Sequence, residues 1–352
     1  MASKEDKSLI EILTQHQAYL YRLSSQSVNE LLKIFNDESA LMLARLRDLL
    51  DELNDSEKVA LASGQYTTSN LKEIRDLIAQ WFTAINTALP EAFAISATAL
   101  AVYEANYTAK LYGGKIKKPN GEKLYAAAKK IPLVGGALVD DLLSRIAENA
   151  RQKVEYAIRD GINSGKTNQE IVQRIRGTKR LNYEDGLLSG TKTDIDRTVR
   201  TVRSHVANQA YLNSFNQIGF EYVKLVATLD GRTSKLCASL DGAVWEINDP
   251  AKRVPPLHPN CRSIVNIDQI NYLTPPPYGI WLPPYTKHSG INRNEVTHAT
   301  LYVHESLCQK LPQKAGILLT SSLVPALLDH LRQNPHDETQ VEYIRLLQVL
   351  LD

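Results

Sequence analysis

Cysteine is scarce: three residues in 352, an odd number. That is too thin for the disulfide framework of a secreted domain, so the chain is expected to fold in a reducing cytoplasm. Long apolar runs are missing as well. The nearest to one, Ala92 to Tyr103, is shorter than the roughly 18 residues a span needs, so no membrane crossing is expected. The opening MASKEDKSLIEIL has no apolar segment behind its charges, so no secretory leader is expected either. The motifs G-x-x-x-x-G-K-[ST], G-x-S-x-G and H-E-x-x-H are all lacking, which removes the usual sequence grounds for NTPase, serine hydrolase or zincin chemistry. What is present is ordinary. With 43% hydrophobic and 23% charged residues, the chain is neither a disordered tail nor a collagen-like repeat. At roughly 150 residues per domain its length predicts about two domains.

The net charge of +2 hides an asymmetry. Met1 to Ala60 carries seven Lys/Arg against eleven Asp/Glu, whereas Tyr107 to Arg180 carries sixteen against seven. A basic middle can neutralise phosphates. The candidate DNA contacts are Lys115, Lys117, Lys118, Lys129, Lys130, Arg174, Arg176, Lys179 and Arg180. The plainer reading, a solvated helical face balancing an acidic neighbour, weighs more heavily on charge alone.

Hydrophobic spacing predicts an α+β fold with a mainly helical N-terminal half. Val28, Leu31, Leu32 and Phe35, then Leu43, Leu46, Leu50 and Leu53, recur at helical intervals. Asn70 and Glu73 resemble a capping box ahead of Leu71, Ile74, Ile78, Trp81 and Ile85. Pro90 suits the first turn of a following alanine-rich helix that Gly113-Gly114 should stop. Residues 1–112 are therefore expected to form a helical bundle module. A basic loop with the turn Pro119-Asn120-Gly121 follows, then a helix to about Ile162 and a capping box at Thr167 and Glu170. Thr193 to Gly219 reads as another helix. After it the texture changes: 220–229, 243–247 and 263–267 read as strands, with Asp230-Gly231 and Asp241-Gly242 as turns. This makes 113–270 an α+β domain with a small antiparallel sheet and a Cys/His loop. Residues 271–290, rich in proline and tyrosine, read as an extended linker, and 291–352 as a helical tail carrying Leu318, Leu319, Leu323 and Leu327.

Between Asp230 and Arg262 lies the densest chemistry. Cys237, His258 and Cys261 follow the spacing Cys-x20-His-x2-Cys, and thiolate and imidazole are the ligands zinc prefers. Pro256 and Pro259 stiffen the return. A fourth ligand is missing from the pattern; Asp230, Asp241 or water could supply it. The competing reading has Cys237 and Cys261 as small packed residues and His258 bonded to the loop backbone. That reading is preferred, so no cofactor is expected and zinc stands as the alternative. Asp230 and Arg232 are expected to pin the hairpin by a charge-assisted bond, with His258 and Cys261 locking the loop after it. His298, His304 and Cys308, in the tail, are expected to be surface or packing residues.

The run TLDGRTSKLCASLDGAVW followed by PPLHPNCRS resembles the signature of the Mu F-type phage head morphogenesis (minor head protein) family. Asp230, Arg232, Thr233, Cys237, Asp241 and Gly242 match its first segment, and His258, Pro259, Asn260, Cys261 and Arg262 its loop. Upstream, AIRDGINSGKTNQEIVQRIRG and DRTVRTVRSHVANQAYLNSF resemble the family's helices, so the resemblance spans about residues 125–268. The family loop often ends in a further cysteine, where this chain has Ser263. The resemblance implies a non-enzymatic minor component of a tailed-phage head, in the capsid interior or at the portal, acting in head assembly, genome packaging or ejection. Its implied partners are the portal or major head protein, with phage DNA as a further contact. The alternative is a metal-dependent nuclease or other toxin-like enzyme using the Asp230, Cys237, His258 and Cys261 cluster, though one histidine offers few of the parts a metal hydrolase needs.

Overall fold

Apolar residues spaced three and four apart demand helices with a covered stripe, and the longest elements answer that demand. The computed structural model describes residues 9–112, 115–267, 278–283 and 315–319, with the isolated positions 326 and 329. The chain divides into two compact units, residues 1–268 and 269–352.

In the first unit, α1 (Leu9–Asp51), the short α2 (Asp55–Ala62) and α3 (Ser69–Tyr112) come first. Leu31, Phe35, Leu46, Leu49 and Leu50 of α1 are buried with Leu71, Ile74, Trp81, Ile85, Leu89 and Phe93 of α3. Phe35 and Trp81 meet at 6.4 Å between ring centroids. Two expectations fail here. Asn70 and Glu73 do not cap α3; the Thr68 hydroxyl accepts from the Leu71 amide, and the Asn70 amide turns to Glu57. Pro90 starts no new helix but lies inside α3. An interior proline costs about 3 kcal/mol in an isolated helix, yet the stripe Ile78, Trp81, Ile85, Leu89, Phe93, Ala97 and Leu100 runs unbroken across it. Packing on both sides keeps the helix whole. By length and composition α3 is also apolar enough to cross a membrane, unlike any stretch expected from the sequence; here its stripe lies against α1 and α7.

Next come α4 (Gly121–Lys129), α5 (Val139–Asn163), α6 (Asn168–Arg176) and, after a loop with one 3-10 turn at Lys179–Leu181, α7 (Ser189–Ile218). Thr167 and Glu170 form the expected reciprocal cap of α6. Asn120, expected in a turn, instead caps α4 by accepting from the Lys123 amide. Buried residues of α5 and α7 join those of α1 and α3 in one continuous core. The anticipated 1–112 and 113–270 segments thus share a single interior, and residue 112 marks no break in packing.

The sheet has the order β2-β1-β3, all antiparallel: β1 (Tyr222–Val226) lies between β2 (Val244–Glu246) and β3 (Ile264–Ile267). Val223 stands opposite Trp245 on one side and Ile267 on the other, and Leu225 opposite Val265. One-residue precision matters, because a slip would turn Val223 and Leu225 to the wrong face. A single helical turn, α8 (Lys235–Ser239), interrupts the connection from β1 to β2.

In the second unit, β4 (Tyr278–Trp281) pairs antiparallel with β5 (Gly316–Leu319). The 271–290 segment is therefore not only a linker, and Leu318 and Leu319 belong to a strand rather than to the expected tail helix. A short run such as Gly-Ile-Leu-Leu cannot be told from a buried helical segment by periodicity alone. Most of the expected helical tail, with His298, His304 and Cys308, lies outside the described residues.

Several polar groups are buried between the helices. Glu104, fully buried, takes the His16 Nε2 at 2.9 Å and the Tyr211 hydroxyl, and His16 stacks flat on Tyr107 at 3.6 Å. His205 Nε2 donates to the Ala128 carbonyl at 3.0 Å. Burial holds its imidazole below the ordinary histidine range despite that bond. An unfolded histidine titrates near 6.5, so the stability this residue contributes is complete above about pH 6.5 and is drawn down as pH falls below it. Melting temperatures measured between about pH 7.5 and pH 5 should fall more steeply for the native chain than for His205→Gln. Equal slopes would mean that the ring is not held neutral.

Candidate functional site

The segment from Thr228 to Arg262 folds back on itself, and local hydrogen bonds dictate how. The Asp230 amide donates to the Thr233 hydroxyl at 2.8 Å, and the Arg232 amide to Asp230 Oδ1 at 2.8 Å. The Ser234 hydroxyl then caps α8 by accepting from the Cys237 amide at 3.1 Å. Asp241 Oδ1 accepts the Ala227 amide at 2.8 Å, and Gly242, at φ +77°, turns the chain into β2. The return ends in a tight turn in which the Cys261 amide donates to the His258 carbonyl at 3.2 Å, with Asn260 in the left-handed region at φ +57°.

Two interactions close the clasp. Arg262 reaches Asp230 with both terminal nitrogens, at 2.7 and 2.6 Å, a two-pronged charge-assisted pair. Arg262 and the Arg232 amide hold the Asp230 carboxyl well below the usual carboxylate range. The expected partner, the Arg232 side chain, is mostly exposed and stands 3.5 Å away, so it is secondary. A fork fits a carboxylate more closely than a side chain two residues along can, which is why the distant arginine takes the place. The second closure is a small core of Leu225, Cys237, Leu257 and Cys261, with Ala227, Leu240 and Trp245 packed on it.

In that core the expected trio meets. Cys237 Sγ stands 3.2 Å from His258 Nε2 and 3.6 Å from Cys261 Sγ. All three donor atoms lie within 4.8 Å of one another. Both thiols are free and buried, and His258 is half-buried. Burial pushes the Cys261 thiol up, against hydrogen bonds from the backbone of Leu257 and Ser263 that favour its thiolate. His258 Nδ1 donates to the Pro259 carbonyl at 2.8 Å, which leaves Nε2 facing the sulfurs. Neither expected oxygen ligand joins them, since Asp230 is occupied by Arg262 and Asp241 by the Ala227 amide.

The clasp is fastened to α7 by Thr201 and Asn208, neither of which was among the expected site residues. Thr201 Oγ1 accepts the Asn260 amide at 3.0 Å. Asn208, fully buried, accepts the Val265 amide of β3 at 2.7 Å. The available signal was their setting: polar side chains within a turn of the apolar stripe of Val199, Val202 and Val206.

The nine basic candidates do not form one surface. The Lys117 amide donates to Gln217 near the C-terminal end of α7, whereas Leu187 and Leu188, just before its start, donate to the carbonyls of Arg174 and Ile175. With 30 residues, α7 extends about 45 Å, so Lys115, Lys117 and Lys118 lie at its far end from Arg174, Arg176, Lys179 and Arg180. Lys129 is paired with Asp140 at 2.9 Å, and Arg174 with Asp160. Arg176 stacks over Tyr183 at 4.7 Å.

Residues 152–266 match the family described as Phage Mu protein F like protein, a family of phage head morphogenesis. The resemblance carried by the motif therefore holds, over a segment that begins within α5 rather than near residue 125. No curated protein and no solved structure gives a significant match. The matched segment contains α6, α7, the sheet and the whole clasp.

Asn208→Ala should cost about 1–3 kcal/mol, because it leaves the buried Val265 amide without a partner. Chemical denaturation checks this, and an unchanged midpoint would show that the strap from α7 to β3 carries no stability.

Proposed function

We propose that the chain is a minor component of a phage head that joins the particle during assembly, at or near the portal, and that its role is architectural. The observation that carries this reading is the coincidence of the family match with a clasp whose polar groups are spent on one another. Asp230 is held by Arg262, Asp241 by a backbone amide and His258 by the Pro259 carbonyl. A metal-dependent nuclease would need a base and donors converging on a substrate position, and in this clasp the carboxylates point into structural bonds instead.

Contact with a portal or head protein is favoured over contact with DNA. Phosphate-driven binding draws on cations gathered on one surface, whereas these include groups at opposite ends of α7, and Lys129 and Arg174 already have acidic partners. Action in packaging or ejection would follow from a seat at the portal, where DNA enters and leaves.

Mass spectrometry of purified procapsids, mature particles and emptied heads tests the reading. Peptides of this chain should be found in procapsids. Retention in emptied heads would assign it to the shell, and loss on emptying to ejection. Absence from every particle would overturn the proposal.

A further inference from the structure

Two buried cysteines and a histidine converge on one point in the clasp, Cys237 from more than twenty residues before His258 and Cys261. Packing alone gives no reason for the three donor atoms to turn toward one another. A sulfur separation of 3.6 Å excludes a formed disulfide, whose sulfurs lie about 2.05 Å apart. It matches two thiolates on one tetrahedral zinc, which at about 2.3 Å from the metal stand about 3.8 Å from each other. The imidazole is also oriented as a ligand. A zinc-bound histidine typically gives its other ring N–H to a carboxylate or a backbone carbonyl, and His258 gives Nδ1–H to the Pro259 carbonyl while Nε2 faces the cysteines.

We propose that Cys237 Sγ, His258 Nε2 and Cys261 Sγ bind a zinc ion, with water in the fourth position on the half-buried His258 side. Two thiolates and an imidazole select zinc over magnesium or calcium, which take oxygen ligands. Neither Asp230 nor Asp241 is the fourth ligand, because both are engaged elsewhere. Ser263, fully enclosed beside Cys261, supplies a hydroxyl where a further thiol would close the shell. Binding ties α8 to the turn at 258–261 and releases the two thiol protons. This inference rests on the clasp geometry alone and stands or falls independently of a role in the phage head.

The test uses the full chain, purified under reducing conditions, stripped with a chelator and reloaded with zinc alone. Elemental analysis after desalting should give about one zinc per chain, and stripping should lower the melting temperature. Cobalt(II) in place of zinc should produce the near-ultraviolet absorption of cobalt–thiolate bonds. The paired Cys237→Ser and Cys261→Ser variant should lose both signals. Ser263→Cys keeps every proposed ligand and adds a thiol, so it should hold zinc against a competing chelator more tightly than the native chain. The proposal is overturned if native and Ser263→Cys chains, folded by circular dichroism, both emerge from reloading without zinc. It is equally overturned if the paired serine variant keeps the metal.

Discussion

The structure depends on the burial of the middle of α7, where Thr201, Arg203, His205, Asn208 and Tyr211 are denied water and must find partners in the protein. An unpaired buried donor or acceptor costs about 1–3 kcal/mol, so each such residue of α7 acts as a directed attachment. The buried Arg203 reaches Ser27 of α1 at 2.9 Å, and the half-buried Arg200 beside it reaches Ser24 at 2.7 Å. His205 meets the end of α4, Tyr211 meets Glu104 of α3, Asn208 meets β3 and Thr201 meets the turn of the clasp. Apolar packing brings these elements to the helix, but it would tolerate sliding. The polar contacts fix the register, because displacing any one of them leaves a buried group unpaired.

That arrangement explains what the sequence disclosed and what it withheld. Features written within a few residues were legible: the Thr167–Glu170 cap, the stop after Tyr112, the strands flanking Asp241-Gly242, and the histidine–cysteine turn. Those set by distant packing were not. Pro90 carries a local stop signal, yet Leu89 and Phe93 are buried against other helices and their packing outweighs it. Asn70 and Glu73 have the right spacing for a cap, but Thr68 sits one residue before the helix and Glu57, on α2, draws Asn70 away. His16 and Glu104 are 88 positions apart, and no periodicity links them. In the site the grouping of Cys237, His258 and Cys261 was legible from spacing, whereas the pairing of Asp230 with Arg262 rather than Arg232 required knowing that the two segments close on each other.

The clasp combines a polar closure with an apolar one, and the two respond differently to surroundings. The Asp230–Arg262 pair is partly open to solvent, so salt screens it. The contacts of Leu225, Leu257, Leu240 and Trp245 around the two cysteines are apolar, and screening by salt does not weaken such burial. Under changing ionic strength the apolar side therefore keeps the clasp shut while the ion pair governs alignment.

The family match and the attachments of α7 together locate where force or contact would be transmitted. The matched segment begins within α5, yet its central helix is bonded to α1 and α3, which lie outside the match. Arg200 alone donates to Ser24, Ser25 and the Tyr21 carbonyl, and its guanidinium covers the Tyr21 ring at 4.3 Å. The next residue, Thr201, holds the clasp. Adjacent residues of a single rigid helix thus grip the N-terminal bundle on one side and the clasp on the other. A displacement of α1 by a bound partner cannot leave the clasp unaffected without breaking one of those partly buried bonds. The N-terminal helices are in this sense part of the same mechanical unit as the matched segment.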